Sequence, residues 1–500
     1  MSTIILGFQY VFSDPTCIAL LFLGVFVGII FGSIPGLTAT LGVTLFIPFT
    51  YTMSPIQGMT TLIAVYVGGI SGGLITATLI NIPGTPSSIY TCFDGYPMTK
   101  KGKPAEALAI GVFCSLIGGT FSAFALMAIA PQLAKVSLSF GSWEYFAVAL
   151  MGLSVVVAMC SNSLMKGLMG AVVGLVLGGV GLDSISGVSR MTFGFWQLQA
   201  GISSTALMMG LFAITEVFNQ SMELHKPRPK IEFKKSTLIP PFSEMKTCWK
   251  AIGIGAVIGT GIGILPGIGQ NASTLISYNL ARSVSKTPEE FGHGCPEGIS
   301  ASETSNNATN GGALIPLVCL GIPGDLTTSA MIGGLMIHGL QPGPLLYNQH
   351  PELVGGIMVA YFLSNVAMYI MELGLMKAFV RMVNVKLSYL FPAIVACCVL
   401  GVYTLNNRMF DVWVMIVFGI IGYILICLGI DMAPVILGYI LGPLIEKYMR
   451  MALIAADGRW ADITTRPVAV FFVIVAIAFV VVPIIRKWIS LAKGVRAGKA

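Results

Sequence analysis

Charge is scarce in this chain: 10% of its 500 residues are Asp, Glu, Lys or Arg, against roughly a quarter in an ordinary soluble domain. A water-exposed surface cannot be covered at that density, which excludes a large soluble protein. Lys and Arg are absent before Lys100. The first apolar run therefore lacks the basic n-region of a cleavable signal peptide, and none is expected. The 4 histidines are too few for a haem or a histidine-rich cluster. Neither a GxxxxGK[ST] phosphate loop nor an HExxH motif occurs, so P-loop ATP hydrolysis and zincin chemistry are not expected. The 10 cysteines show no CxxC and no framework spacing; Cys397 and Cys398 are adjacent in an apolar run, and all are read as small membrane-helix residues.

What the chain has instead is hydrophobicity, 55% of its residues, with a mean hydropathy of +0.86. The stretches 354–371, 412–430 and 468–485 carry no charge, and each is long enough to cross roughly 30 Å of hydrocarbon as a helix. The fold class expected is an all-α polytopic membrane protein with about ten to twelve helical segments. The net charge of +7 sits mostly in a few loops. That distribution reads as membrane topology, and no nucleic-acid partner is expected.

Glycine, 59 residues, and proline, 26, interrupt the apolar runs in a pattern that repeats in order. The first half has Gly32-Ser-Ile-Pro35-Gly36, then Ser71-Gly72-Gly73, Asn81-Ile-Pro83-Gly84-Thr85 and Asp94-Gly95. The second half has Gly263-Ile-Leu-Pro266-Gly267, then Asn310-Gly311-Gly312, Gly321-Ile-Pro323-Gly324-Asp325 and His338-Gly339. An internal duplication is expected. Positive charge sets the relative orientation of the halves. In the first half the basic residues Lys100, Lys101 and Lys103 follow the motifs; in the second they precede them, from Lys226 to Lys250, while 341–352 has none. Cytoplasmic loops collect Lys and Arg, so the halves should thread the bilayer in opposite directions, as in secondary transporters. The expected organisation is an N-terminal membrane repeat over 1–220, a basic cytoplasmic linker over 221–250, an inverted repeat over 251–446, and a loop, final helix and basic tail over 447–500. The N-terminus is expected outside and the C-terminus, with Arg486, Lys487, Lys493, Arg496 and Lys499, inside. The basic stretch 447–466 resists this count, which places it outside.

The Pro-Gly pairs are where chemistry is expected. A helix broken at membrane depth frees N–H groups and presents the positive end of its dipole, a place for an anion. Thr38, Thr40, Asn271 and Ser273 sit at the first pair of breaks, at Pro35-Gly36 and Pro266-Gly267. Asn81, Thr85, Ser87 and Ser88 on one side, and Thr327 and Thr328 on the other, sit at the second pair, at Pro83-Gly84 and Pro323-Gly324. Hydroxyls and amides at such places either contact substrate or cap helices. Asp325 is an acid inside an apolar region: it either holds a coupling cation or proton, with Asn310, or caps the helix that follows. Asn306 and Asn307 lie in an unusually polar run from Glu297 to Asn310, read as a wet substrate pocket or as a solvated loop entering a helix. His293, Cys295 and Glu297 match no zinc spacing, and no metal site is expected. Glu144, Asp183, Glu216, Glu372 and Asp431 lie near the ends of apolar runs and are read as interfacial.

These motifs resemble the large membrane subunit of the tripartite tricarboxylate transporter family. The resemblance rests on Gly32-Ser-Ile-Pro-Gly-Leu-Thr38, Asn81-Ile-Pro-Gly-Thr-Pro-Ser-Ser88 and Phe93-Asp-Gly-Tyr-Pro-Met98 in the first half. In the second it rests on Leu265-Pro-Gly-Ile-Gly269, Pro296-Glu-Gly298, Glu303 to Ala308 and Leu320-Gly-Ile-Pro-Gly324. It implies a bacterial inner-membrane permease working with a small transmembrane subunit and a periplasmic solute-binding protein, without a cofactor or catalytic residues. It also implies import of citrate or another small anionic carboxylate on a Na⁺ or H⁺ gradient, by alternating access and with an elevator-like motion. Where the family pattern has Ala-Pro-Glu-Ala-Ala-Asn-Asn, this chain has more hydroxyls, Ser302-Glu303-Thr304-Ser305-Asn306-Asn307, so citrate itself is not assumed. The competing readings are a passive channel and an intramembrane aspartyl protease. The latter needs a second facing Asp, and no clear partner for Asp325 stands out in the sequence.

Overall fold

The computed structural model describes residues 2–159, 164–183, 185–222, 242–385 and 387–497. Most of the basic linker from Lys226 and the tail residue Lys499 lie outside them. Twenty α-helices occur among the described residues, and the only β structure there is a two-residue hairpin, β1 (Gly181–Leu182) with β2 (Ser189–Arg190). The first half runs α1 (Ser2–Phe12), α2 (Pro15–Ser33), α3 (Ala39–Thr50), α4 (Pro55–Ile80), α5 (Ile89–Lys100), α6 (Pro104–Ser137), α7 (Ser142–Met159) and α8 (Leu164–Gly178). After the hairpin, α9 (Ser204–Met208) and α10 (Thr215–Ser221) flank a π-helical stretch, Met209–Ile214. The second half runs α11 (Phe242–Ile264), α12 (Gly269–Val284), α13 (Pro296–Leu320), α14 (Leu326–Ile337), α15 (Pro344–Gln349), α16 (Pro351–Val383), α17 (Leu387–Asn406), α18 (Met409–Cys427), α19 (Met432–Ala455) and α20 (Pro467–Ala497). Seven of these helices are long and apolar enough to cross a membrane, and the chain is a multi-pass, all-α membrane protein. The helix count exceeds the expected ten to twelve because each Pro-Gly break divides one run into two helices and because short helices such as α1, α9, α10 and α15 add to it.

The order helix, Pro-Gly break, short helix, long helix, Pro-Gly break, short helix, long helix occurs twice: in α2 to α6, and in α11 to α16 with the six-residue α15 added before the last long helix. Packing repeats with it. Gly24, Gly28 and Gly32 on α2 lie against the α4 backbone, and a Cβ on Gly28 would stand 2.4 Å from the Val65 carbonyl oxygen. Gly255, Gly259 and Gly263 on α11 lie against α13 in the same way, with 2.5 Å from Gly259 to the Ser305 carbonyl oxygen. Small residues every fourth position let helix backbones approach where lipid supplies no hydrophobic drive. The two long central helices are then enclosed: α4 is buried from Ile56 to Leu79 with few interruptions, and α13 throughout Gly298–Cys319.

Several expectations change on contact with this packing. The polar run through Asn310 is neither loop nor solvated: it forms the first half of α13, which is enclosed mainly by α6, α11 and α12, with α5 alongside. Glu372 is not interfacial either; it lies fully buried on α16, beside Ser71 of α4. The stretch taken as a loop from residue 447 is helical to Ala455, so the loop is 456–466. Its awkward positive charge is partly internal: Arg450 pairs with Asp183 at 2.8 Å and Glu446 at 3.2 Å, and Arg190 with the same two acids. Asp183 is thus a hairpin anchor.

Candidate functional site

Each break is closed by local chemistry that the sequence supplies. Thr38 caps α3, its hydroxyl accepting from Leu41 N at 3.1 Å. Asn81 ends α4 in the left-handed conformation, φ 58°, and Gly321 ends α13 likewise, φ 73°; Asn is the residue after Gly that best tolerates this region. The Thr85 hydroxyl bonds those of Ser87 at 3.1 Å and Ser88 at 2.9 Å. This cluster sits on Gly73, where a Cβ would meet both Thr85 and Ser88 at 2.4 Å. In the second half Gly324 stands where a Cβ would meet Ala313 Cα at 2.5 Å, and the Gly324 carbonyl accepts from Gly267 N at 2.8 Å. The Gly-Gly motifs are therefore the seats on which the breaks rest.

Asp325 shows the capping geometry. One carboxylate oxygen accepts from the Thr328 backbone N–H and hydroxyl, both at 2.7 Å, and the Asp325 N–H donates to the Thr328 hydroxyl at 2.9 Å. The other accepts from the Tyr66 hydroxyl and from Gln270 Nε2, which also donates to Asn310 Oδ1 at 3.1 Å. Four donors occupy the two oxygens, so α4, α12 and α14 are tied at one point. Thr40 and Thr327 share a hydroxyl hydrogen bond of 2.8 Å, joining the first break of one half to the second break of the other.

These segments enclose a cavity of about 500 Å³, within the range of small-molecule sites. Its walls include Thr38 and Thr40 at the start of α3, Thr85 and Ser87 ahead of α5, Gly269 to Asn271 at the start of α12, and Asp325 and Thr327 at the start of α14. Four helix N-termini at the Pro-Gly breaks thus meet at one space, two from each half, joined by that of α19. Glu216 of α10 and Asp431, the residue before α19, also line it; none of the described lining residues is Lys or Arg. Dipoles, hydroxyls and an amide are what this cavity offers an anion, with two carboxylates discouraging excess negative charge.

Of the sequence candidates, Thr38, Thr40, Thr85, Ser87, Asn271, Asp325 and Thr327 share this cavity. Ser273 instead bonds Thr309 at 2.7 Å behind α12, Ser88 and Thr328 support the breaks, and Asn310 backs Gln270. Asn306 and Asn307 lie deeper, on the part of α13 that faces α6; Asn307 donates to Ser115 at 2.8 Å. Four lining or supporting residues escaped sequence reasoning. Gln270 adjoins Asn271, just after the Pro266-Gly267 break, and was within reach. Tyr66 sits in an apolar run with no local signal, and Glu216 and Asp431 looked interfacial.

Comparison with known proteins gives the family. The profile of the tripartite tricarboxylate transporter TctA family matches residues 18–437. An uncharacterized 52.8 kDa protein in the TAR-I ttuC' 3' region of Agrobacterium vitis is 36% identical over 485 residues, covering 97% of this chain and 96% of that one. An uncharacterized protein in the TAR-II ttuC' 3' region of the same organism is 39% identical over 211 residues, covering 42% of this chain and 87% of that one. No solved structure matches. The chain belongs to the tripartite tricarboxylate transporter TctA family.

Proposed function

We propose that this chain is the large permease of a binding-protein-dependent secondary transporter that imports small di- or tricarboxylates by alternating access on a Na⁺ or H⁺ gradient. The observation that carries this reading is the meeting of four helix N-termini, two from each half, around one cavity lined by hydroxyls. Free N–H groups at those ends suit a carboxylate, and the absence of Lys and Arg from the lining favours modest net charge over a bare trianion. The substrate contacts are assigned to Thr38, Thr40, Thr85, Ser87, Asn271 and Thr327. Asp325 and Asn310 hold the breaks in register; a cation bound beside them would have to displace Tyr66 or Gln270.

The two halves, 1–220 and 251–446, are read as oppositely threaded repeats, with the N-terminus outside and the tail in the cytoplasm of a bacterial inner membrane. The duplicated helix order and glycine stripes support this, and so does the basic-residue asymmetry. The partners are a small transmembrane subunit and a periplasmic binding protein, which would reach the pocket from the side of 341–352. An elevator-like motion of the broken segments is the alternating-access step this arrangement suits. A protease is disfavoured: Asp431 shares the cavity with Asp325, yet both Asp325 oxygens are occupied and neither is placed to activate water.

The test is uptake of radiolabelled di- and tricarboxylates into cells making this chain with both partners, with imposed Na⁺ or pH gradients. Accumulation of one acid against its gradient is expected. Downhill equilibration alone would indicate a channel. Thr40→Val and Thr327→Val should each weaken apparent affinity by about 2- to 10-fold, the worth of one hydrogen bond.

A further inference from the structure

Two fully buried acids take no part in the cavity just described. Glu303 of α13 accepts hydrogen bonds from Thr91 of α5 and, at 3.2 Å, from Ser115 of α6. Glu372 of α16 accepts from Ser71 of α4 at 3.0 Å through one carboxylate oxygen; its other oxygen, Oε1, is buried without a partner. Asn307 donates to Ser115, and its own Oδ1 is likewise buried and unpartnered. The acids lie within electrostatic range of each other. The other titratable groups facing Glu303 are the buried thiols of Cys92 on α5 and Cys114 on α6. Asp94, further along α5, is committed elsewhere, to Tyr278 and the backbone N–H groups of Gly292, Gly294 and Cys295. On α16 the hydroxyl of Tyr361 is spoken for by Ser122 and the Asn307 carbonyl. Among the described residues no Lys, Arg or His pairs with either acid.

A buried carboxylate without a cationic partner is strongly disfavoured in its charged form. Something must neutralise it, and the packing here leaves little space. A Cβ on Gly118 would stand 2.1 Å from the Thr304 carbonyl oxygen, and one on Gly119 1.7 Å from Asn365 Oδ1, so α6 meets α13 backbone to backbone and α16 backbone to side chain. A metal cation needs several oxygens arranged around a gap; a proton needs only a lone pair, which Glu372 Oε1 has. Both acids also connect to the transport cavity. One turn beyond Asn307 on α13 is Asn310, which accepts from Gln270 at the cavity wall. Ser71 is two residues from Gly73, the seat of Thr85.

We propose that Glu303 and Glu372 form a two-carboxylate proton site behind the transport cavity, and that the proton they carry is the coupling ion. The inference rests on the transport reading above. In one access state a proton from water on the outer side adds to a carboxylate oxygen of the pair; in the other it leaves to cytoplasmic water, and no other bond changes. With the other acid of the pair protonated throughout, the added proton makes the pair neutral, and the neutral pair permits α4 and α13 to carry their broken ends between states. An ionised pair without substrate holds them.

The experiment uses the chain with both partners in liposomes containing a pH-sensitive dye. Wild-type protein is expected to accumulate the acid under an inward proton gradient with matching dye acidification. Glu303→Gln and Glu372→Gln should lose gradient-driven uptake at least 10-fold while keeping exchange of labelled for unlabelled substrate without a gradient. Ser71→Ala and Ser115→Ala keep both acids and serve if the Gln variants do not fold. Each removes a donor to the ionised form, so the pH midpoint of uptake should rise by about one unit. Wild-type uptake that follows a Na⁺ gradient without proton movement overturns this proposal, as do Gln variants with unchanged proton-driven uptake or Ala variants with unchanged pH profiles. Wild-type protein that neither accumulates nor exchanges any acid overturns the transport reading itself, and this one with it.

Discussion

Asp325 carries more of the site's architecture than its single charge suggests. Its four donors come from three helices, and two of them, Tyr66 and Gln270, belong to segments far away in sequence. Asp325→Ala removes a helix cap and leaves a buried phenol and a side-chain amide without their acceptor. Together these should cost about 2–5 kcal/mol of stability, read as a lower unfolding temperature in detergent. Asp325→Asn keeps an acceptor for Thr328 and should cost less. The sequence showed the acid and its two possible roles; capping was legible from Pro323-Gly324 ahead of it. Tyr66 was not, because a tyrosine in an apolar run looks the same whether its hydroxyl meets a carboxylate or water.

Helices here are positioned by glycine, and the stripes give contrasting predictions on a single helix. Gly259 of α11 touches α13, whereas Gly253 and Gly261 have nothing near where a Cβ would stand. Gly259→Leu should abolish folded protein in a size-exclusion assay. Gly253→Ala and Gly261→Ala should be neutral or stabilise by up to about 1 kcal/mol, the helix propensity gained. The hairpin β1–β2 makes a pH prediction at the same scale. The Ser186 hydroxyl, then the Arg450 guanidinium, hold the Asp183 carboxyl well below the usual carboxylate range. A depressed folded value means the anchor is intact above the unfolded pKa of about 3.9 and weakens as pH falls below it. Hydrogen exchange across 181–190 should therefore stay constant from pH 7 to 5 after correction for intrinsic rates, and Arg450→Gln should raise it throughout.

Across the whole molecule, the two halves meet through paired elements: Thr40 with Thr327 at the cavity, and Asp94 of α5 with the backbone of the loop joining α12 to α13. If they are threaded oppositely, Lys101→Cys and Gln349→Cys lie on different sides. In a cysteine-free background, a membrane-impermeant maleimide should label position 349 in intact spheroplasts and position 101 only after permeabilisation. Labelling of both from one side would reject the inverted arrangement.

The sequence by itself determined that this is a membrane protein, where its helices break and that its motifs come twice, because low charge, hydropathy and Pro-Gly interruptions are local properties. Tertiary structure alone decided which breaks share a cavity, that Glu216 and Asp431 face it, and that α13 is a buried helix. The physical reason lies in what a residue meets. An Asn, Glu or Ser in a polar run reads as solvated until neighbouring helices enclose it, and only packing turned Glu303 of that run and Glu372, read as interfacial, into buried acids with no cationic partner among the described residues.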